Sequence, residues 1–306
     1  MILAAIDIGS NAARLLITEV KPYGNNEVDF TKLNLIRVPI QLGYDVFESG
    51  SIGIEKRHNF IETMKAFKIL MDIYHVKAYK ACATSAMRDA KNATEIIEQI
   101  DNEVGIKIRV ISGQEEASIL YETHIAEQFQ NNNASLYIDV GGGSTELTLF
   151  AEKKIIFKES FNIGTIRLLN FKITQKHWDS VKYFIKNEVE KYQPIQLIGS
   201  GGNINKIFSM SKVKEGKPLK YSFLKESLTE MENLSIDERV HKFNLKDDRA
   251  AVIVPALEIY TTIMKWANAT EIYVPKIGLA DGLIKLLYTE IMLKKNKKDN
   301  PYFIEI

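Results

Sequence analysis

The sequence predicts an α/β protein of two domains, each begun by the same strand–turn–strand unit. Three observations carry this expectation. The stretch Ala5-Ile6-Asp7-Ile8-Gly9-Ser10-Asn11-Ala12-Ala13-Arg14-Leu15-Leu16-Ile17 is matched later by Tyr137-Ile138-Asp139-Val140-Gly141-Gly142-Gly143-Ser144-Thr145-Glu146-Leu147-Thr148-Leu149. Asp7 aligns with Asp139, Gly9 with Gly141 and Leu15 with Leu147. Apolar runs with strand character alternate with helical periodicity along the chain. A length of 306 residues is long for a single core.

The elements follow in order. Ile2–Ile8 and Arg14–Val20 form the first hairpin, Pro22–Asn26 a turn and Phe30–Val38 a third, alternating strand. Gln41–Ser51, with two glycines, reads as a loop. Ile54–Tyr74 has helical periodicity, with Phe60, Met64, Phe67 and Met71 on one side. The strand Val76–Ala83 enters a loop of small and hydroxylated residues that ends in Arg88, before the helix Ala93–Ile100. Arg88 can serve there as a phosphate clamp or as a helix-start ion pair. The strand Lys107–Ile111 runs into Ser112-Gly113-Gln114-Glu115-Glu116, where Ser112 is a helix cap and Glu115 its capping-box partner. Glu116 is then free to activate water, although both glutamates also suit a helix N-terminus.

Glu127–Ala134 is a polar linker, which puts the domains at 1–128 and 129–306, with the last helix or tail able to pack back on the first. After the second hairpin come a strand at Lys154–Phe161, a Gly/Thr turn, a helix at Gln175–Tyr192 and a strand at Ile195–Ile198. That strand meets Gly199-Ser200-Gly201-Gly202-Asn203 and a helix, Ile204–Met210, whose N-terminus favours an anion. Lys212–Lys220 reads as a basic loop, Ser222–Asn233 as a helix, and Lys246–Trp266 as a helix interrupted by Pro255. Glu271–Val274 is a short strand, and Ile277–Ile284 opens the last helix.

The duplicated turn has a chemical use. Glycines let the backbone approach a ligand, and successive N–H groups make a concavity for anions. Gly9, Ser10 and Asn11 in one copy, and Gly141, Gly142, Gly143, Ser144 and Thr145 in the other, are candidate phosphate-binding residues, with Arg14, Gly201 and Gly202. Asp7, Asp139 and Glu146 offer oxygen ligands to a hard divalent cation. No P-loop pattern occurs, and no Gly-x-Gly-x-x-Gly leads from strand to helix.

Composition excludes other classes. A net charge of +1 gives no electrostatic case for DNA. Cys82 is the single cysteine, so neither a disulfide framework nor a cysteine zinc site is expected. The five histidines show no metal-ligand spacing. With no signal-peptide pattern and no apolar run near the length of a membrane span, a cytoplasmic, membrane-free protein is expected.

The ordered set now quoted, together with Ala83-Thr84-Ser85-Ala86-Met87-Arg88-Asp89-Ala90, resembles the exopolyphosphatase / guanosine pentaphosphate phosphatase family in its short two-domain form. The resemblance implies the actin-like, sugar-kinase-like and Hsp70-like ATPase fold, of the ribonuclease H-like type, with the active site between the domains. It implies release of terminal phosphate from inorganic polyphosphate or guanosine pentaphosphate with Mg²⁺, guanosine tetraphosphate as a related ligand, and a homodimer. Matched residue by residue, it makes Glu116 the carboxylate that handles water. Arg88 becomes a basic residue facing the cleft, and Asp7, Asp139 and Glu146 surround the metal. Ala12 replaces a hydroxyl residue, and Gly278-Leu279-Ala280-Asp281-Gly282 lacks the family's Arg. A small-molecule kinase of the same superfold and a non-catalytic alarmone sensor are the rival expectations.

Overall fold

Strand β1 (Ile2–Ile8) is buried on both faces, and its side chains divide by parity between two cores. Ala4, Ile6 and Ile8 join one core, while Leu3 and Ala5 join another. A central strand apolar but for Asp7 needs cover on both sides, and the rest of the first domain and the last helix supply it. The computed structural model describes residues 1–23, 27–121, 134–152, 154–170, 172–275 and 277–298. The linker predicted at 127–134 lies outside them, apart from Ala134, which begins a strand.

The first domain continues with β2 (Ala13–Tyr23), β3 (Glu27–Val38), α1 (Leu42–Ser49), α2 (Ile54–Ile73), β4 (Ala78–Ala83), α3 (Ser85–Asp89), α4 (Ala93–Val104), β5 (Ile108–Val110) and α5 (Gly113–Tyr121). Its sheet order is β3-β2-β1-β4-β5, antiparallel through the hairpins and parallel from β1 to β5.

The second domain comprises β6 (Ala134–Val140), β7 (Thr145–Ala151), β8 (Lys154–Phe161), α6 (Thr165–Leu169), α7 (Gln175–Phe184), β9 (Ile195–Ser200), α8 (Gly202–Met210), β10 (Leu219–Lys220), α9 (Tyr221–Glu232), α10 (Ile236–Phe243), α11 (Asp247–Trp266) and β11 (Glu271–Tyr273). Its sheet order is β10-β11-β9-β6-β7-β8, so β8-β7-β6-β9 repeats β3-β2-β1-β4. This is the duplicated, two-domain actin-like α/β fold. The last helix, α12 (Leu279–Lys298), packs back on β1, β2 and β4 of the first sheet and on α5. Its Gly282 makes the crossing with α5 possible, because a Cβ there would lie 2.2 Å from the Ile119 carbonyl oxygen. Helix α5 in turn reaches β7 and β8, so it bridges the two sheets.

Several local expectations change. The stretch predicted as a loop at 41–51 contains α1, held by Leu42, Val46 and Phe47 in the first core. The loop before Arg88 winds into the short helix α3. The helix predicted at 175–192 leaves α geometry for a π turn at Ile185–Val189 and a 3₁₀ turn at Glu190–Tyr192. Helix α10, unpredicted, starts at a Ser235–Glu238 capping box. The basic stretch ends in β10, and Pro255 sits within an uninterrupted α11.

Candidate active site

The strand register builds the site. Asp7 pairs across the sheet with Arg14, and Arg14 with Arg37. In the second domain, Asp139 pairs with Ser200 on one side and Glu146 on the other, and Glu146 with Ser160. The repeat thus sets an arginine and a glutamate, Arg14 and Glu146, at equivalent positions beside equivalent aspartates. Both turns close alike, with Gly9 N–H donating to the Ala12 carbonyl at 3.0 Å and Gly141 N–H to the Ser144 carbonyl at 2.9 Å.

The turns meet face to face. A Cβ on Gly142 would stand 2.8 Å from Ser10 Cβ, so the close approach requires glycine. The Ser10 and Ser85 hydroxyls are 2.8 Å apart. The cleft between the domains is lined by Asp7, Gly9, Ser10, Asn11 and Arg14 from the first hairpin. Asp139, Gly141, Gly142, Ser144 and Glu146 line it from the second. Glu116, Ser85, Arg37, Arg249 and the Gly201–Asn203 turn also line it. Gly201 adopts φ +117, which carries the chain over Asp139 into the start of α8.

Three residues proposed from the sequence are not among the lining residues. Gly143 is packed against Phe47 and Ser85. The Thr145 hydroxyl donates to the Ile163 carbonyl at 2.6 Å and is therefore committed to the fold. Arg88 stands behind Glu116: it donates to the Ile111 carbonyl at 2.8 Å and lies 3.5 Å from Glu116 Oε2. Arg14 does line the cleft, with its Nη1 donating to Asp7 at 2.7 Å.

At the start of α5, Glu115 N–H donates to the Ser112 hydroxyl at 3.1 Å, as a cap requires. The Glu115 carboxylate does not complete the capping box. It pairs with Arg109 instead. Glu116 turns inward, with 12% of its side chain exposed and Oε2 buried without a hydrogen bond. Burial, then the charges of Glu146 and Asp139, push its pKa well up, against Arg88. Asp139 is raised to about 7 by burial and then by Glu146 and Asp7. Burial also raises Glu146, against its bonds from Ser144 at 2.6 Å and Ser160 at 3.0 Å.

Sequence reasoning missed Ser85, Arg37, Ser160, Ser200 and Arg249. Only Ser85 and Ser200 stood inside quoted motifs. The others reach the cleft or its carboxylates through cross-strand register or a helix start, which short-range patterns do not reveal.

The cleft suits a hard cation in donor chemistry. Its carboxylates repel one another, and Glu116 Oε2 accepts no hydrogen bond, with only the Arg88 guanidinium 3.5 Å away. No group of three or more protein ligands stands in a metal-holding arrangement among the described residues. A cation here would keep waters and share substrate phosphates, as Mg²⁺ commonly does.

Fold and cleft together define a two-domain actin-like protein with a polar, glycine-lined cleft between its halves. The chain belongs to the Ppx/GppA phosphatase family, whose pattern matches residues 23–290. It is 30% identical over 247 residues to a bifunctional 3-dehydroquinate synthase/phosphatase of Fusobacterium nucleatum, covering 79% of this chain and 35% of that protein. It is 24% identical over 306 aligned residues to a guanosine-5'-triphosphate,3'-diphosphate pyrophosphatase of Aliivibrio fischeri, covering 92% of this chain and 58% of the relative. The chain thus spans between about a third and three fifths of these curated relatives. The solved structure of an exopolyphosphatase from Cytophaga hutchinsonii superposes with a TM-score of 0.79 at 25% identity, covering 95% of this chain and 98% of that one.

Proposed function

We propose that this phosphatase releases terminal orthophosphate from inorganic polyphosphate or guanosine pentaphosphate, with Mg²⁺ as cofactor and Glu116 as the group that orients and deprotonates water. The observation that carries the reading is the inward carboxylate of Glu116. It stands at the cleft wall, its Oε2 accepts no hydrogen bond, and burial, then the charges of Glu146 and Asp139, raise its affinity for a proton against the pull of Arg88. Such a group acts as a general base.

Phosphoryl transfer needs positioning and charge neutralisation more than covalent chemistry. With the Gly9 and Gly141 N–H groups closing the turns, the N–H groups of Ser10, Asn11 and Gly142 would cradle the terminal and penultimate phosphates. Asp7, Asp139 and Glu146, which form no three-ligand cluster by themselves, would hold Mg²⁺ together with water and substrate phosphate, and it would supply charge neutralisation when bound. Arg88, behind Glu116, keeps that carboxylate oriented and limits how far its proton affinity rises. Glu116 would take the proton of water aimed in line with the leaving oxygen. A reducing cytoplasm suits the buried free thiol of Cys82.

Phosphate release from both substrates, side by side, tests the reading. Turnover should require Mg²⁺ and stop with chelator. Glu116→Gln keeps the shape and should lower kcat by about 10²-fold or more, whereas Glu115→Gln should change it little. Full turnover in the Glu116 variant would overturn the assignment. Phosphate transfer from ATP to a sugar, or binding of guanosine pentaphosphate without turnover, would replace the function.

A further inference from the structure

The cross-strand row that begins at Asp7 runs through Arg14 to Arg37. Like charges on adjacent strands repel, and here each arginine is held by an acid. Arg14 is held by Asp7 at 2.7 Å and Arg37 by Asp248 at 2.5 Å. Asp248 belongs to the other domain, in the first turn of α11, and 9% of its side chain is exposed. The next residue, Arg249, lies beside Arg14 against Gly202. Burial and then the charges of Arg37 and Arg14 push its guanidinium below the usual range. Arg14, Arg37 and Arg249 line the cleft, but Asp248 does not. Arg37 Nε is buried without a hydrogen bond. Three guanidinium groups therefore crowd the cleft at the start of α8, and one carboxylate reaches across the domain boundary to hold one of them.

We propose that Asp248 is a specificity-determining residue that limits the length of phosphate chain the cleft accepts, its carboxylate taking on Arg37 the place of a further phosphate group. The proposal deepens the phosphoanhydride reading and rests on it. A short chain reaches Arg14 and Arg249 and leaves the Arg37–Asp248 pair intact. A longer chain must displace Asp248, which strands a mostly buried carboxylate and costs free energy. The guanidinium fork takes carboxylate or phosphate with the same geometry, so the exchange is chemically natural.

Calorimetric binding of tripolyphosphate and of a long-chain inorganic polyphosphate to the whole protein tests this. Asp248→Asn keeps the shape and removes the charge. It should raise affinity for the long chain relative to the short one by about fivefold or more. Asp248→Glu, which keeps the charge, should stay near the wild-type ratio. If the Asn variant does not fold, Asp248→Ser carries the same expectation. An unchanged ratio, or an equal rise for both anions, overturns the role of Asp248 while leaving phosphatase activity standing. A wild-type protein that binds neither anion overturns both readings.

Discussion

At the residue scale, Asp139 ties the site to stability. Its carboxyl titrates at about 7 in the fold against an ordinary 3.8, because burial and neighbouring carboxylates oppose the charge. A raised acid binds more protons folded than unfolded. The stability it contributes is complete below its ordinary value and is lost as pH rises through about 7. Glu116 and Glu146 shift in the same direction. In chelator, the protein should therefore lose thermal stability between mildly acidic and mildly alkaline pH. Asp139→Asn should flatten that loss and exceed the wild type by about 1 kcal/mol or more above neutrality. Unfolding scans across pH check it, and wild-type stability that climbs steadily with pH would contradict it. The four carboxylates were legible because three belong to the repeat and the fourth follows a helix cap. Asp248 and Arg249 were not legible, since in sequence they look like the charged first turn of any helix.

At the element scale, the turns were legible as glycine-rich, but not the reason for each glycine. Gly164 lies outside the repeat, yet a Cβ there would sit 2.4 Å from the Gly142 carbonyl oxygen and 2.5 Å from the Gly143 carbonyl carbon. Those atoms are backbone and cannot step aside. They also carry the second turn, whose Gly142 carbonyl accepts the Ile166 N–H at 2.8 Å. Gly164→Ala should cost about 2 kcal/mol or more and reduce phosphate release with it. Gly105, at φ +74 with open space around it, is the control, since Gly105→Ala should cost about 1 kcal/mol and leave turnover unchanged. Chemical denaturation with activity on the same samples separates the two. The unpredicted α1 shows the limit of local reading. Gln41 precedes it at φ 49 with no side-chain cap, so the helix start left no sequence signature and the helix is held by its packed apolar residues.

At the scale of the whole molecule, the question is what keeps the two turns opposed. The repeat announced two equivalent domains, but not how they dock. Arg167, in the middle of the short helix α6, joins them by two contacts and is anchored by a third within its own domain. Its Nε donates to the Gly143 carbonyl at 2.7 Å, and its guanidinium pairs with Asp89 of the first domain. The guanidinium carbon also lies 4.2 Å from the centre of the Phe47 ring, on α1 of the first domain. Asp89 ends α3, the helix that carries Ser85 and Arg88, so the contact reaches elements on both sides of the cleft. Only a planar, forked cation can donate, pair and stack at once. Arg167→Lys preserves charge but loses the stack and the second donor direction, so it separates electrostatic attraction from docking geometry. We expect turnover to fall by about tenfold, because small displacements of reacting groups are costly. Far-ultraviolet circular dichroism should be unchanged, and limited proteolysis of the whole protein should be faster. Wild-type turnover and protection in the Lys variant would mean that charge alone holds the halves together.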